Sequence, residues 1–199
     1  SAAAITAPLL AAAYSANKMF AQINENLSDG SPRFSTFMDV ADTISDADWE
    51  NSVLFKLFKQ IDWPLIPEAI EGRMDDFVIK QLTQMKVYRL LFTFMELGGF
   101  YAGNAFLEWL RANLDLNGSN VGQATLAEFY EHTGKDLNVV ASNITDGGIL
   151  VLNHRTAPNC PVAWAVRMSM SIPFIWQEVR WRQAWGAYRG RDISGHAIV

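Results

Sequence analysis

Ser1 is the residue of this chain whose type and neighbours best suit covalent catalysis. Acyl transfer to water needs a nucleophile, a base, and donors that stabilise the developing oxyanion. Ser1 is followed by Ala2, Ala3 and Ala4, and such small residues let a chain turn tightly and a helix pack closely behind the turn. A serine before alanines is common, so this pattern alone is a weak signal and needs support from other parts of the chain.

The only Asp-Gly-Gly of the sequence, which begins at Asp146, is a candidate for the base. It separates two apolar runs, Leu137–Ser142 and Ile149–Asn153, and Asp and Gly tolerate the positive φ that a tight hairpin requires. We therefore predict a β-hairpin here and do not assign Asp146 as the base. Isolated histidines are more often surface or hydrogen-bonded residues than bases, and this chain has three of them: His132 near a helix end, His154 after a strand, and His196 on the last strand.

No spacing of His, Cys, Asp and Glu side chains suggests a metal site, and no cofactor is expected. The acidic stretch from Asp39 to Glu50 has no EF-hand frame, which needs Gly at its sixth position and Glu at its twelfth. We interpret it as a solvated face or a helix entry. Cys160 precedes Pro161 at a helix start, and nothing near it would activate a thiol, so it is interpreted as a small buried hydrophobe.

The elements that must position these residues are mostly helical. Ala2–Ala13 is small and aliphatic on every side, which predicts a buried helix directly behind Ser1. A further helix is predicted at Ser15–Leu27, with Met19, Phe20, Ile23 and Leu27 on one side. Several helices are predicted between Val53 and Leu116, with breaks at Trp63-Pro64, Ile66-Pro67 and Gly98-Gly99 and a last helix at Ala102–Leu114.

Two helices are predicted in the last third of the chain. One runs from Thr125 to Gly134 and is opened by a capping box with Glu128. The other is Val162–Met170, with Asn159 as N-cap, Pro161 near the first position, and an end before Pro173.

Three stretches together resemble one family. The string A-V-R-M-S-M-S-I-P (Ala165–Pro173), preceded by the strand V-V-A-S-N-I-T, resembles the C-terminal half of patatin-like phospholipases. The opening S-A-A-A-I-T-A resembles the second half of that family's nucleophile elbow, and Gly195–Val199 resembles the strand that runs into its catalytic D-G-G. The resemblance covers most of the chain and is strongest at both ends and in 130–173.

The resemblance implies a lipid acyl hydrolase with a Ser–Asp dyad, of phospholipase A or lysophospholipase type. Ser1 falls on the nucleophile, the aspartate is expected just beyond Val199, and the glycine-rich oxyanion loop is expected before Ser1. The chain alone is then expected to be inactive. Ala3 stands where the family's motif has its last glycine.

For the fold, the resemblance implies an α/β class: a three-layer αβα patatin-like sheet with an inserted helical cap. At this length one domain is the default, so residues 1–199 are predicted to form a single patatin-like domain, incomplete at its ends, with the cap at about residues 30–120. Helices in the cap position cover the site and line the acyl pocket in the family.

Charge and hydropathy restrict the partners. The net charge of −5 argues against a nucleic-acid binder, which needs a basic face. The most apolar internal run, Val87–Tyr101, is interrupted by charges and glycines, so no transmembrane helix is predicted and any membrane contact is expected to be peripheral. A lipid ester is the expected substrate. A single cysteine suits a reducing compartment, and we expect a cytoplasmic or peripheral-membrane location.

The stretch Phe174–Tyr188 interleaves aromatic residues with arginines. The residues concerned are Trp176, Trp181, Trp185, Arg180, Arg182 and, just beyond the stretch, Arg189. This pattern fits a lipid interface, where rings lie at headgroup depth and guanidinium groups meet phosphate. It also fits arginine stacked on tryptophan within one folded loop, and this packing interpretation is the favoured one.

Two alternatives to a hydrolase with a Ser–Asp dyad stay open. A catalytically inactive patatin-like module that binds lipid or a protein partner is supported by Ala3 in the glycine position. An N-terminal-nucleophile hydrolase would use the α-amine of Ser1 as its base, but such enzymes place the nucleophile at the start of a β-strand, whereas Ala2–Ala13 is predicted to be helical.

Overall fold

A computed structural model describes residues 2–40, 52–53, 86–115 and 120–199. Within these ranges helices alternate with short strands. The helices are α1 (Ala2–Ala11), α2 (Ala16–Ile23), α3 (Lys86–Leu97), α4 (Asn104–Asp115), α5 (Leu126–Thr133) and α6 (Val162–Met170), with 3-10 turns at Arg33–Phe37 and Gln183–Trp185. The strands are β1 (Gly99–Tyr101), β2 (Val139–Asn143), β3 (Gly148–Leu152), β4 (Phe174–Trp176), β5 (Val179–Arg180) and β6 (Ala197–Ile198).

The strands form two sheets. The larger has the order β3-β2-β6-β5 with antiparallel neighbours, and the smaller pairs β1 with β4 in parallel. Val139 pairs with Leu152 and Asn143 with Gly148, which is the register of a closed hairpin. The prediction of a mixed α/β fold is confirmed, and so is the hairpin between residues 137 and 153.

Two compact units divide the chain. The first comprises Ser1–Asp39, Gly103–Pro173 and Glu178–Val199, and the second comprises Val40–Ala102 and Phe174–Gln177. The assignment of residues 1–199 to one domain with a helical cap at about 30–120 stays a prediction. The predicted helix breaks at Trp63-Pro64 and Ile66-Pro67 and most of the acidic stretch after Asp39 lie outside the described residues.

Helix α6 forms the centre of the first unit. It packs against β2, α1 and α4. Nearly all of its faces are buried because, apart from Arg167 and Ser169, its sequence is apolar. The residues almost fully shielded from solvent include Val162, Ala163, Ala165, Val166 and Met168. A helix buried on several sides in this way fixes the positions of the elements packed against it.

In the second unit, α3 ends at Gly98, whose φ is +70°, as the Gly-Gly pattern predicts. The strand β1 follows immediately and pairs with β4. A Cβ on Gly99 would lie 2.2 Å from the carbonyl carbon of Trp176, so only glycine fits this close approach.

Helix boundaries show which local signals hold. The capping box of α5 is present, since the Glu128 carboxylate accepts from Thr125 N at 2.8 Å and Gly134 closes the helix at φ +64°. The Asn159 cap is wrong: Pro161 occupies the N-cap of α6 without a side-chain hydrogen bond. In α2, the side chain of Phe20 is 71% exposed.

Candidate active site

Ser1, the predicted nucleophile, lies outside the described residues, but the helix that follows it is described. Helix α1 is built of small aliphatic residues, and Ala4 and Leu9 on it are buried. Its first turn carries no acidic side chain, so no carboxylate of this turn offsets the partial positive charge of the helix N-terminus. This end of α1 therefore favours a developing negative charge, as the residues behind a nucleophile should.

The carboxyl end of α1 is tied down by Tyr14. Its hydroxyl donates a 2.5 Å hydrogen bond to the carbonyl oxygen of Asn113 in the last turn of α4, and burial raises the pKa of Tyr14. Tyr14 is only 4% exposed, so the bond is sheltered from competing water. Together with its packing on α6, this contact holds α1 in one orientation.

The strand that resembles the one before the family's D-G-G is β6. It lies in the sheet between β2 and β5. Val199 N donates to Ser142 O at 2.9 Å, and Ser142 N donates to Val199 O at 2.6 Å. The strand that would deliver the base is thus held on both sides by the sheet, while the aspartate beyond Val199 stays a prediction.

The motif Ala165–Pro173 has an interior role that sequence reasoning did not find. Arg167 is 1% exposed, and its guanidinium donates to the hydroxyl of Ser171 one turn later. Ser171 in turn donates to Arg167 O at 2.8 Å. Burial lowers the pKa of Arg167 to about 10 and the charge of Asp39 opposes this shift, so the guanidinium is still charged at neutral pH.

Asp39 connects Arg167 to the start of α4. Its carboxylate accepts hydrogen bonds from Gly103 N at 2.7 Å, Asn104 N at 2.9 Å and Ala105 N at 3.2 Å. These are unpaired donors of a helix N-terminus, where a carboxylate is stabilised. Asp39 therefore serves as the cap of α4. The other acidic residues of this stretch, which is predicted to be a solvated face or a helix entry, lie outside the described residues.

Comparison with models of known protein families gives the family of this chain. A family model, Patatin-like phospholipase, matches residues 1–189. The chain belongs to the patatin-like phospholipase family. Among curated proteins, none matches the chain. Membership in this family means that the chain is a lipid acyl hydrolase and that its substrate is a lipid. It also confirms the resemblance seen in the sequence.

In this patatin-like chain the Asp146 turn is structural. Asn143 Oδ1 accepts hydrogen bonds from the backbone N–H groups of Thr145 and Asp146, and Gly147 adopts φ +73°. The Asp146 carboxylate lies 3.0 Å from the guanidinium of Arg191. The Asn143 side chain thus closes the hairpin turn and the Asp146 side chain pairs with a surface arginine, which agrees with the turn interpretation.

The three histidines have different surroundings in the structure. His132 is exposed in the last turn of α5. His154 stacks on Tyr130 with ring centroids 3.9 Å apart and lies 3.3 Å from Asp136. His196 Nδ1 lies 3.0 Å from Asn143 Nδ2 beside the hairpin turn.

Cys160 has no exposed surface, and burial raises the pKa of its thiol to about 12. It is therefore a protonated thiol at neutral pH and a poor nucleophile. In the part of the chain that the structure describes, no three His, Cys, Asp or Glu side chains are grouped as metal ligands.

The tryptophans after α6 are packed inside the protein. Trp176, Trp181 and Trp185 are 5%, 2% and 4% exposed. The guanidinium carbon of Arg182 lies 4.4 Å from the ring centre of Trp164 and 5.2 Å from that of Trp185. This geometry agrees with the packing interpretation, in which the arginine stacks on the rings. None of the helices within the described residues has the length and apolarity to cross a bilayer.

Proposed function

We propose that the protein is a lipid acyl hydrolase of phospholipase A or lysophospholipase type whose nucleophile is Ser1. The family match, which includes Ser1, carries the proposal. The buried small-residue helix α1 supports it, because a nucleophile on a sharp turn needs such a helix close behind it.

In the proposed reaction, Ser1 Oγ attacks the carbonyl carbon of the ester while its proton passes to an aspartate that follows β6. The oxyanion is stabilised by N–H groups of a glycine-rich loop before Ser1 and by the N-terminal end of α1. As the tetrahedral intermediate collapses, the aspartic acid returns this proton to the leaving oxygen, which releases the alcohol and leaves an acyl ester on Ser1. Water activated by the same aspartate then releases the fatty acid and restores the serine.

The test uses the full-length protein and its Ser1→Ala variant. Wild type is expected to be labelled by a fluorophosphonate probe and to release fatty acid from phospholipid or lysophospholipid, and Ser1→Ala is expected to lose both. Ser28→Ala, a change at an exposed serine in a turn, is the matched control and keeps both. Labelling and hydrolysis that persist at the wild-type level in Ser1→Ala remove Ser1 from the nucleophile role.

Ala3 favours a second candidate, a patatin-like module that binds lipid or protein without turnover. In this candidate, the methyl group of Ala3 would crowd the elbow at the position where the family has glycine. Liposome binding by the full-length protein without ester hydrolysis would support the binding module. A gain of hydrolysis in Ala3→Gly would identify the methyl group as the cause.

A further inference from the structure

The stretch 180–191, here called the arginine loop, is the most basic part of a chain whose net charge is −5. It contains four arginines, and the carboxylates next to it are those of Glu178 and Asp192. The positive charge is therefore concentrated locally, and the four arginines fall into two structurally different pairs.

One pair of arginines is neutralised by carboxylates. The guanidinium of Arg180 forms an ion pair with Glu178. The guanidinium of Arg191 lies 3.0 Å from the Asp146 carboxylate. Both arginines have their charged groups occupied within the protein.

The other pair is stacked on aromatic rings. Arg182 lies over Trp164 and Trp185, and the guanidinium carbon of Arg189 lies 5.5 Å from the ring centre of Tyr188. Both arginines are exposed, and among the described residues neither has a carboxylate partner. Stacking covers the flat face of a guanidinium but leaves its N–H edge available to an anion.

The Trp185 ring beneath Arg182 contacts the rings of both Trp164 and Trp181. Trp181 Nε1 donates to Gly186 O at 2.8 Å, and the rings of Trp181 and Trp185 meet edge to face with centroids 5.5 Å apart. The backbone of Arg189 is also fixed, since its N–H donates to Thr156 O at 2.8 Å. Binding an anion here would order few additional groups, so little conformational entropy would be lost.

We propose that Arg182 and Arg189 form a docking surface for an anionic lipid bilayer, with their N–H groups bound to lipid phosphate and carboxylate oxygens. Charge complementarity favours this partner, because the anionic leaflet attracts exposed arginines and guanidinium groups bind phosphate through paired hydrogen bonds. The tryptophans are buried in the protein, so the contact is with headgroups and does not require ring insertion. The inference goes beyond the proposed function, because adsorption to the bilayer does not depend on Ser1.

Vesicle co-sedimentation of the full-length protein tests the proposal, with Ser1→Ala present in every sample so that hydrolysis cannot alter the vesicles. Binding is expected to vesicles of phosphatidylcholine mixed with phosphatidylserine, to be much weaker with phosphatidylcholine alone, and to weaken as salt is raised. Arg182→Gln or Arg189→Gln alone should weaken partitioning about fivefold, and the two together about 30-fold. No binding to the anionic vesicles by the protein with all four arginines overturns the proposal.

The matched control is the double change Arg180→Gln and Arg191→Gln, which removes the same charge from the paired arginines. It should weaken partitioning less than about fivefold; a loss as large as that of the stacked pair overturns the proposal, since net charge alone would then explain binding. Arg182→Lys keeps the charge but lacks the paired N–H groups of a guanidinium, so it is expected to bind more weakly than wild type and more strongly than Arg182→Gln. Inorganic phosphate should not displace the protein from vesicles at matched ionic strength, and displacement would overturn a bilayer site in favour of a free-phosphate site.

The vesicle and activity measurements fail independently. If hydrolysis by wild type is absent while the arginine-dependent adsorption stands, only the proposed function fails. If hydrolysis is intact while adsorption is absent or insensitive to the stacked arginines, only the docking surface fails.

Discussion

Arg167 and Arg182 have similar neighbours in sequence but different surroundings in the structure. Both follow aromatic or aliphatic residues in a largely apolar stretch. Arg167 is 1% exposed inside the first unit and is bound to Ser171 near the charge of Asp39. Arg182 is exposed and rests on two indole rings. An arginine among apolar residues in the sequence can therefore be a buried, hydrogen-bonded residue or an exposed one. The burial of the surrounding elements decides which of the two it is.

The same substitution at the two arginines should have very different effects on stability. Arg167→Ala is expected to lower the free energy of unfolding by about 3 kcal/mol, because it leaves a cavity at the centre of the unit. Arg182→Ala should cost less than about 1 kcal/mol, since only an exposed stacking contact is lost. Urea denaturation of both variants measures the difference, and equal losses would break the comparison.

A third variant separates volume from charge at Arg167. The lowered pKa of Arg167 means that its charge is held at a cost in the folded protein. Arg167→Met fills most of the volume without the charge, so it should lose only about 1 kcal/mol. A loss as large as that of Arg167→Ala would instead assign the stability to the hydrogen bond and charge.

Gly103 and Gly190 extend the comparison to the backbone. Gly103 has φ +72°, and a Cβ there would lie 2.3 Å from Arg167 Nε, whereas Gly190 in the arginine loop has φ +79° with no atom within 4 Å of such a Cβ. Gly103→Ala is expected to lower the free energy of unfolding by about 2–3 kcal/mol, and Gly190→Ala by about 1 kcal/mol. Thermal or urea unfolding measures both.

The additional cost of Gly103→Ala, compared with Gly190→Ala, should depend on the side chain of Arg167. In a double-mutant cycle, Arg167→Ala is expected to reduce the cost of Gly103→Ala, because a side chain that ends at Cβ no longer occupies the space of the new methyl group. Strictly additive losses would mean that the two residues do not compete for this space.

Burial of Cys160 should make the free energy of unfolding depend on pH above 9.0. Its thiol pKa is raised from 9.0 to about 12, so the folded protein holds the proton more tightly than the unfolded chain. The free energy of unfolding should be unaffected by this group below pH 9.0 and fall as the pH rises from 9.0 toward about 12, by about 1 kcal/mol per pH unit. Urea titrations of wild type and Cys160→Ala across this range isolate the effect, since Tyr14 titrates in both proteins; parallel pH curves would contradict it.

Features set by neighbouring residues were predictable from sequence. The Asp146 turn, the capping box of Thr125 with Glu128, and the end of α6 before Pro173 all depend on contacts within a few residues. The exception is Asn159, where a good capping residue is displaced by Pro161 because the chain preceding α6 makes a tight turn, with Cys160 N donating to Ala157 O. Local chemistry names the candidates for a cap but does not choose between adjacent ones.

Features set by distant residues were not predictable. Asp39 caps a helix that begins 65 positions later, and nothing in the acidic run distinguishes it from its neighbours. For the candidate site, the sequence supplied Ser1 and the buried helix behind it through the family resemblance. The buried charge of Arg167 in the motif Ala165–Pro173 was recognised only from the arrangement of α4 and α6 in the structure. An arginine inside an otherwise apolar helix was nevertheless a signal in the sequence that could have been followed.

The parallel pairing of β1 with β4 has a consequence for the order of folding. Gly99 meets Phe174 across about 75 intervening positions, so closing this pair costs more chain entropy than closing the β2–β3 hairpin. The ribosome must also have released the chain through Gln177 before the second unit can acquire its last strand. The hairpin amides should therefore become protected from hydrogen exchange during refolding before those of β1, which makes the β1–β4 ladder a late event in the maturation of this protein.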